Sequence, residues 1–191
     1  MNEYAGIDLS LTSPGLAMWN GEKVYTKLLS SKPRATGPVV EKKGGKLARM
    51  ETYQDKLWRF RCLTADIEMW VPNTATVYLE GPSYGSVGRA THDIDGNWWA
   101  LFTRLYDRGN IVHVIAPSVL KQYATGSGNA AKDKVMAAVI KRYPDIDVIN
   151  NDVADAVALL AIGMRMAGTP LEDDMPVTHL RALDKLAVPV P

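Results

Sequence analysis

The 191-residue sequence holds a single cysteine, Cys62, so no internal disulfide can form and packing alone must hold the fold. A domain of this length buries roughly 70% of the surface its unfolded chain exposes, so it needs no covalent or metal staple. One cysteine also fits a reducing compartment. The three histidines, His92, His113 and His179, are too scattered to build a zinc site with it. The opening Met1-Asn2-Glu3-Tyr4 has neither the charged nor the apolar stretch of a secretory signal. A cytoplasmic protein is expected. With 47% hydrophobic and 23% charged residues, collagenous, disordered and membrane-spanning classes are excluded.

Charge is scarce in sum and uneven in place. The formal net charge is +1, yet residues 27–61 carry ten Lys/Arg against three Asp/Glu. The remainder is therefore acidic. A basic stretch beside an acidic remainder points to a surface that meets polyanion, with solvation of an ordinary basic face as the plainer reading.

The segment Tyr4-Ala5-Gly6-Ile7-Asp8-Leu9 reads as a short buried strand, and residues 15–19 as a second. Asn20-Gly21 predicts a two-residue turn into a third antiparallel strand over 23–29. Residues 31–46 contain two prolines and three glycines among basic neighbours, which predicts a mobile basic loop. Met50, Tyr53, Leu57, Phe60, Thr64, Ile67 and Val71 recur at helical spacing and predict a helix with that face buried. Thr76-Val77-Tyr78-Leu79-Glu80 reads as a strand, followed by a glycine-rich loop over 81–96 and a helix over 98–108. Residues 111–115 read as a fully buried strand with His113 as a core group, and helices are expected over 132–143 and 152–167, after a short helical turn from Pro117. This order predicts a mixed sheet with helices on its faces. Residues 1–167 are expected to form one domain, with 168–191 a loosely attached tail or arm.

Four acids stand out. Asp8 and Glu80 each end an apolar strand, where an ionised side chain is costly unless paired or metal-bound. Asp152 and Asp155 are three apart on one side of a helix, a spacing that ordinary capping also explains, although Asp155 sits among apolar residues that should bury it. Four carboxylates converging on one sheet edge repel one another unless cations neutralise them, and such oxygen donors suit Mg²⁺ or Mn²⁺. Two such ions would serve in-line phosphodiester hydrolysis.

These residues resemble the RuvC-type Holliday-junction resolvases, including members carried by bacteriophages, within the RNase H-like nuclease superfamily. The carriers are Gly6-Ile7-Asp8-Leu9-Ser10-Leu11-Thr12-Ser13-Pro14-Gly15, the strand-ending Glu80, the block from Leu120 to Lys132, and Asn151-Asp152-Val153-Ala154-Asp155-Ala156. The resemblance spans residues 4–167. It implies an α/β RNase H-like fold: a five-stranded mixed sheet, a three-stranded antiparallel meander plus two parallel strands, flanked by helices. It implies a catalytic set of Asp8, Glu80, Asp152, Asp155 and Lys132, the four acids holding two Mg²⁺ or Mn²⁺ ions, with Lys132 and Lys121 at the phosphates. It further implies a homodimer that resolves four-way DNA junctions by paired nicks in a bacterial cell or phage-infected host, with no membrane and no nucleotide cofactor. The expected DNA contacts are Lys42, Lys43, Lys46, Arg49, Arg59, Arg61, Tyr84, Arg89, Lys121 and Lys132. Tyr84 is a displaced candidate for the aromatic wedge of the family, and Trp98, Trp99 and Phe102 mark a helix that could form the dimer interface or simply fill the core.

Rival readings stay open at this point. Gly6-Ile7-Asp8 followed by Ser/Thr also resembles the phosphate-binding hairpin of actin-like ATPases and sugar kinases, which need a second domain. A catalytically idle nucleic-acid scaffold, or a broader branched-DNA or flap nuclease, would share the basic stretch. Residues 91–97 look like the start of a calcium loop, but the twelfth position from Asp93 is Arg104, where a bidentate Glu is required.

Overall fold

The computed structural model describes residues 2–31, 33–82 and 89–186, without the side chains of Arg89 and Ala90. Strands β1 (Tyr4–Asp8), β2 (Gly15–Trp19) and β3 (Val24–Leu28) form the antiparallel meander. Their second turn differs from expectation. It spans residues 20–23, only Gly21 takes positive φ, at 97°, and Asn20 Oδ1 accepts the Glu22 and Lys23 N–H groups at 3.0 Å.

Residues 31–46 are not simply a loop. β4 (Val39–Glu41) and β5 (Leu47–Arg49) pair as a separate antiparallel ribbon. Glycine makes its tip possible: Gly44 and Gly45 sit at φ of 91° and 77°, conformations that side chains disfavour.

Helix α1 (Tyr53–Trp70) starts at a capping box in which Thr52 and Asp55 satisfy each other's backbone N–H. Pro72 stops it, as expected. Its buried face is not the apolar one read from the sequence. Tyr53 is 86% and Leu57 56% exposed, while Asp55, Arg59 and Leu63 turn inward; the expected face holds only from Thr64 onward. Polar partners override hydrophobicity in the first half: Asp55 is hydrogen-bonded to Thr36 and Thr52, and Arg59 pairs with Glu51 at 3.0 Å.

β6 (Thr76–Glu80) lies parallel to β1, and α2 (Arg89–Asp107) begins well before residue 98, carrying Gly96 and the 91–97 segment inside it. β7 (Val112–Ile115) completes a sheet of order β3-β2-β1-β6-β7. It is an edge strand, half exposed rather than buried. His113 is accordingly exposed and stacks on the Tyr78 ring at 5.1 Å.

The two-residue period of the strands sorts side chains between two layers. Ala5, Ile7, Leu16, Val77 and Leu79 pack with Leu63 and Ile67 of α1 and Leu101 and Leu105 of α2. On the other face, Tyr4, Ala17 and Tyr78 pack on α3 (Pro117–Thr125), α4 (Lys132–Arg142) and the apolar α5 (Asn151–Met166). Helix α5 lies unusually close to the sheet because two glycines admit it. A Cβ on Gly6 would stand 2.1 Å from the Ala156 carbonyl oxygen, and one on Gly15 would stand 2.0 Å from that of Asp152.

Residues 168–186 pack back against α3, α4 and α5. They form α6 (Val177–Leu180) and a 3-10 turn at Leu183–Lys185. The buried Glu172 anchors them, accepting from the Tyr143 hydroxyl at 2.9 Å, Arg165 Nε at 3.0 Å and the Tyr123 hydroxyl.

Candidate active site

The β1–β6 register pairs Ile7 with Leu79. One step on, Asp8 and Glu80 stand side by side at the carboxyl ends of the two central parallel strands. Their alternation partners Ile7 and Leu79 face α1 and α2, so both acids face the α5 layer. There α5 presents Asp152 and Asp155 from its first turns, held down by the glycine contacts at Gly6 and Gly15. The four acids expected from sequence therefore meet at one edge.

Helix α5 is capped by Asn150, whose Oδ1 accepts the Val153 N–H at 2.9 Å. Asp152 is thus released from capping, the role that competed for it. Its Oδ2 accepts a hydrogen bond from Ser13 Oγ at 2.8 Å and a longer one from Asn150 Nδ2 at 3.4 Å. Ser13 is itself set by a turn in which Ser10 Oγ accepts its backbone N–H at 2.8 Å. Ser13 was not singled out in the sequence; the only signal was the Ser/Thr cluster directly after Asp8, which reads as ordinary turn chemistry.

The electrostatics are those of uncompensated negative charge. Burial pushes the Asp8 carboxyl well above the ordinary carboxylate range, and Glu80 and Asp152 push it further. Glu80 is also raised, first by burial, and then by the field of Asp155. The close approach of the two carboxyls adds to the rise at Asp8 and offsets part of it at Glu80. Burial, with Asp8 next in weight, pushes Asp155 up to about 7. Lys132 opposes the shift at all three acids, and Lys121 at Glu80 and Asp155. These lysines lie on different helices, Lys132 opening α4 and Lys121 on α3, and both line a cleft of about 250 Å³ with Glu80, Asp155, Thr91 and Trp98. Trp98 Nε1 donates to the Glu80 carbonyl at 2.8 Å and so ties α2 to the same edge.

Oxygen-only donors with unbalanced charge suit a hard divalent cation in both chemistry and sign. Among the described residues, no three acidic, histidine or cysteine side chains are placed to ligate one ion together.

The expected DNA contacts separate into groups. Lys42, Lys43 and Lys46 are exposed at the ribbon tip, and Arg49 lies on β5 with Nη1 donating to the Gly37 carbonyl at 3.2 Å. Arg61 is exposed over the α1–α2 groove. Arg59 is buried and ion-paired with Glu51, which withdraws it from phosphate contact. Tyr84 and the Arg89 side chain lie outside the described residues. Of the aromatic trio on α2, Trp98 is core and stacks on Phe102 at 5.1 Å, while Trp99 is 60% exposed. No helix among the described residues is long and apolar enough to cross a membrane.

No protein-family model and no curated protein matches the chain. Solved structures do. The structure titled Thermus thermophilus RuvC aligns over 87% of this chain and 97% of its own, with TM-score 0.55 at 20% identity. T. thermophilus RuvC in complex with Holliday junction substrate aligns over 88% and 98%, with TM-score 0.58 at 19% identity. The chain has the RNase H-like fold of these proteins: a mixed five-stranded sheet of antiparallel meander and parallel pair, flanked by helices.

Proposed function

We propose that the chain is a divalent-metal-dependent endonuclease that hydrolyses phosphodiester bonds in branched DNA, four-way junctions above all. The observation that carries this reading is the meeting of Asp8 and Glu80, from adjacent parallel strands, with Asp152 and Asp155 of α5, beside Lys121 and Lys132. A structural cluster of unpaired acids at a sheet edge would only destabilise the fold. The neighbour titled as a complex with Holliday junction substrate supports branched DNA as the partner.

Asp8, Glu80, Asp152 and Asp155 would hold Mg²⁺ or Mn²⁺. When bound, a pair of such ions supplies an activated water and stabilises the leaving oxygen. Asp8, whose carboxyl burial pushes up, must be ionised to ligate. Ser13 and Asn150 hold Asp152 Oδ2, which leaves Oδ1 for the ligand. Lys121 and Lys132, on the cleft wall, would meet the scissile phosphate and support charge developing there.

Paired nicks need two sites, hence a homodimer. A groove of about 650 Å³ between α1 and α2, lined by Leu57, Phe60 and Trp99, supports this face as the interface. The test is cleavage of a synthetic four-way junction beside a flap and a linear duplex, with Mg²⁺, Mn²⁺ or chelator. Metal-dependent symmetric nicking of the junction alone is expected; equal cutting of flap and junction would reduce the protein to a general branched-DNA nuclease, and tight binding without cutting would make it a scaffold.

A further inference from the structure

The basic segment before α1 is tied to the protein by one side chain. Asp55, 2% exposed, accepts the Thr36 backbone N–H at 2.9 Å and the Thr36 hydroxyl at 2.9 and 3.0 Å. From its own helix cap it accepts the Thr52 N–H at 3.0 Å and the Thr52 hydroxyl at 2.8 Å. Arg34 Nε lies 3.4 Å from Oδ1, the oxygen that the Thr36 hydroxyl reaches at 3.0 Å. The Thr36 backbone N–H, ahead of the Thr52 groups, holds the Asp55 carboxyl far below its ordinary range, so it stays ionised. Next to this hub the ribbon closes on itself. Gly37 N–H donates to the Met50 carbonyl and Met50 N–H to the Pro38 carbonyl, both at 3.0 Å. Gly37 is buried there, where a Cβ would stand 2.7 Å from the Met50 oxygen.

The hub also sets where the ribbon stands. Helices α1 and α2 run side by side in the same direction, joined by Lys56–Asp93 at 2.7 Å near their first turns and Arg104–Glu68 at 2.8 Å near their last. The first turns of α2 line the acid cleft through Thr91, Asp95 and Trp98. The ribbon root at Thr52 therefore lies at the acid-bearing end of the sheet. At the far end of the ribbon, Lys42 N–H donates to the Lys46 carbonyl at 2.8 Å, so Lys42, Lys43 and Lys46 share one tight, exposed turn. Residues 33–50 carry five Lys/Arg against one Glu. A solvated face needs no such anchorage, whereas a phosphate-binding finger does, because a loosely tethered lysine loses more conformational entropy on binding.

We propose that this ribbon is a clamp for a duplex DNA arm, its tip lysines Lys42, Lys43 and Lys46 on backbone phosphates and Asp55 the positioning residue that fixes the ribbon root at the acid-bearing end. It rests on the reading of the chain as a DNA-acting enzyme. Asp55 touches no DNA; it acts through Thr36.

The test is binding of the full-length chain to a four-way junction in chelator, across roughly 50 to 200 mM salt. Replacing Lys42, Lys43 and Lys46 together with Gln should lower the magnitude of the salt slope by about 2.7, the value for three lost phosphate contacts. Thr36→Val changes no charge and keeps the capping box and the Thr36 backbone N–H bond, but removes both hydroxyl bonds to Asp55; the loosened ribbon should bind more weakly, and Thr36→Ser should restore binding. Asp55→Asn sharpens the point. Simple electrostatics predicts tighter binding when an acid beside a basic ribbon is neutralised, and positioning predicts weaker binding. An unchanged slope in the triple variant, or no DNA binding by the wild type, overturns the clamp. Unchanged affinity in Thr36→Val, with helix content preserved, overturns the positioning role. Altered slopes in a protein that cuts no DNA with either metal would sink the nuclease reading and leave the clamp standing.

Discussion

Ser13 and Asp152, 139 residues apart in the chain, are joined by a 2.8 Å hydrogen bond in which the serine hydroxyl donates to Oδ2. The bond orients one of four candidate metal-binding acids from outside their circle. Partners of this kind are commonly worth about 10 to 100-fold in metal affinity or activity. Ser13→Ala should therefore raise the Mg²⁺ concentration needed for half-maximal cleavage by about that factor while leaving the thermal midpoint nearly unchanged, and Ser13→Thr should recover most of the loss. A Mn²⁺ titration by calorimetry reads the same change without relying on turnover. Equal metal affinity in Ser13→Ala and wild type would contradict it.

The glycine contacts under α5 make a second expectation. Gly15→Ala places a methyl group against the backbone carbonyl of Asp152, where no flexible side chain can swing aside. Helix α5 must then lift from β2, carrying Asp152 and Asp155 with it. A loss of about 3 kcal/mol is expected from such overpacking, measured by urea denaturation, with cleavage falling further than stability accounts for. Gly109→Ala, in the turn after α2 with open space around it, is a control that strains its turn but should leave the site untouched.

Acidity and stability are linked through Asp155. Its carboxyl is at about 7 in the fold against an ordinary 3.8, so the folded protein binds a proton there that the unfolded chain has released. In chelator its contribution should be greatest below pH 4, decline as pH rises toward 7, and level off above. The swing is on the order of 4 kcal/mol, an upper figure because Asp8 and Asp152 share the same field. Asp155→Asn should flatten the profile and raise the melting temperature at pH 8. Mg²⁺ should stabilise the wild type more at pH 8 than at pH 5, since the ion competes with the proton for the same oxygens.

Much of this site was legible in the residues. An acid ending each of two apolar strands, and two acids three apart on an apolar helix, carry the essential geometry, because strand alternation and helical spacing leave few ways to arrange them. What escaped the sequence was decided by polar contacts and by position in the sheet. The ribbon strands are only three residues each, too short for alternation to register. The buried face of α1 was misread because Asp55 and Arg59 are buried by partners distant in sequence, while Tyr53 and Leu57 remain outside. The apolar run at Val112–Ile115 has the composition of a central strand and the place of an edge one. Residues 168–186 are tied down through Glu172, whose partners Tyr123 and Arg165 lie on α3 and α5 and Tyr143 directly after α4.

The central claim is that Asp8 and its three acidic neighbours hold the metal that cuts DNA. The most direct measurement is the parallel assay of junction binding and Mg²⁺-dependent cleavage by wild-type protein and Asp8→Asn, which removes a ligand charge with little change in shape. The expected result is undiminished binding by Asp8→Asn with cleavage lost by several orders of magnitude. Cleavage by purified Asp8→Asn at the wild-type rate would contradict the assignment of this edge as the active site.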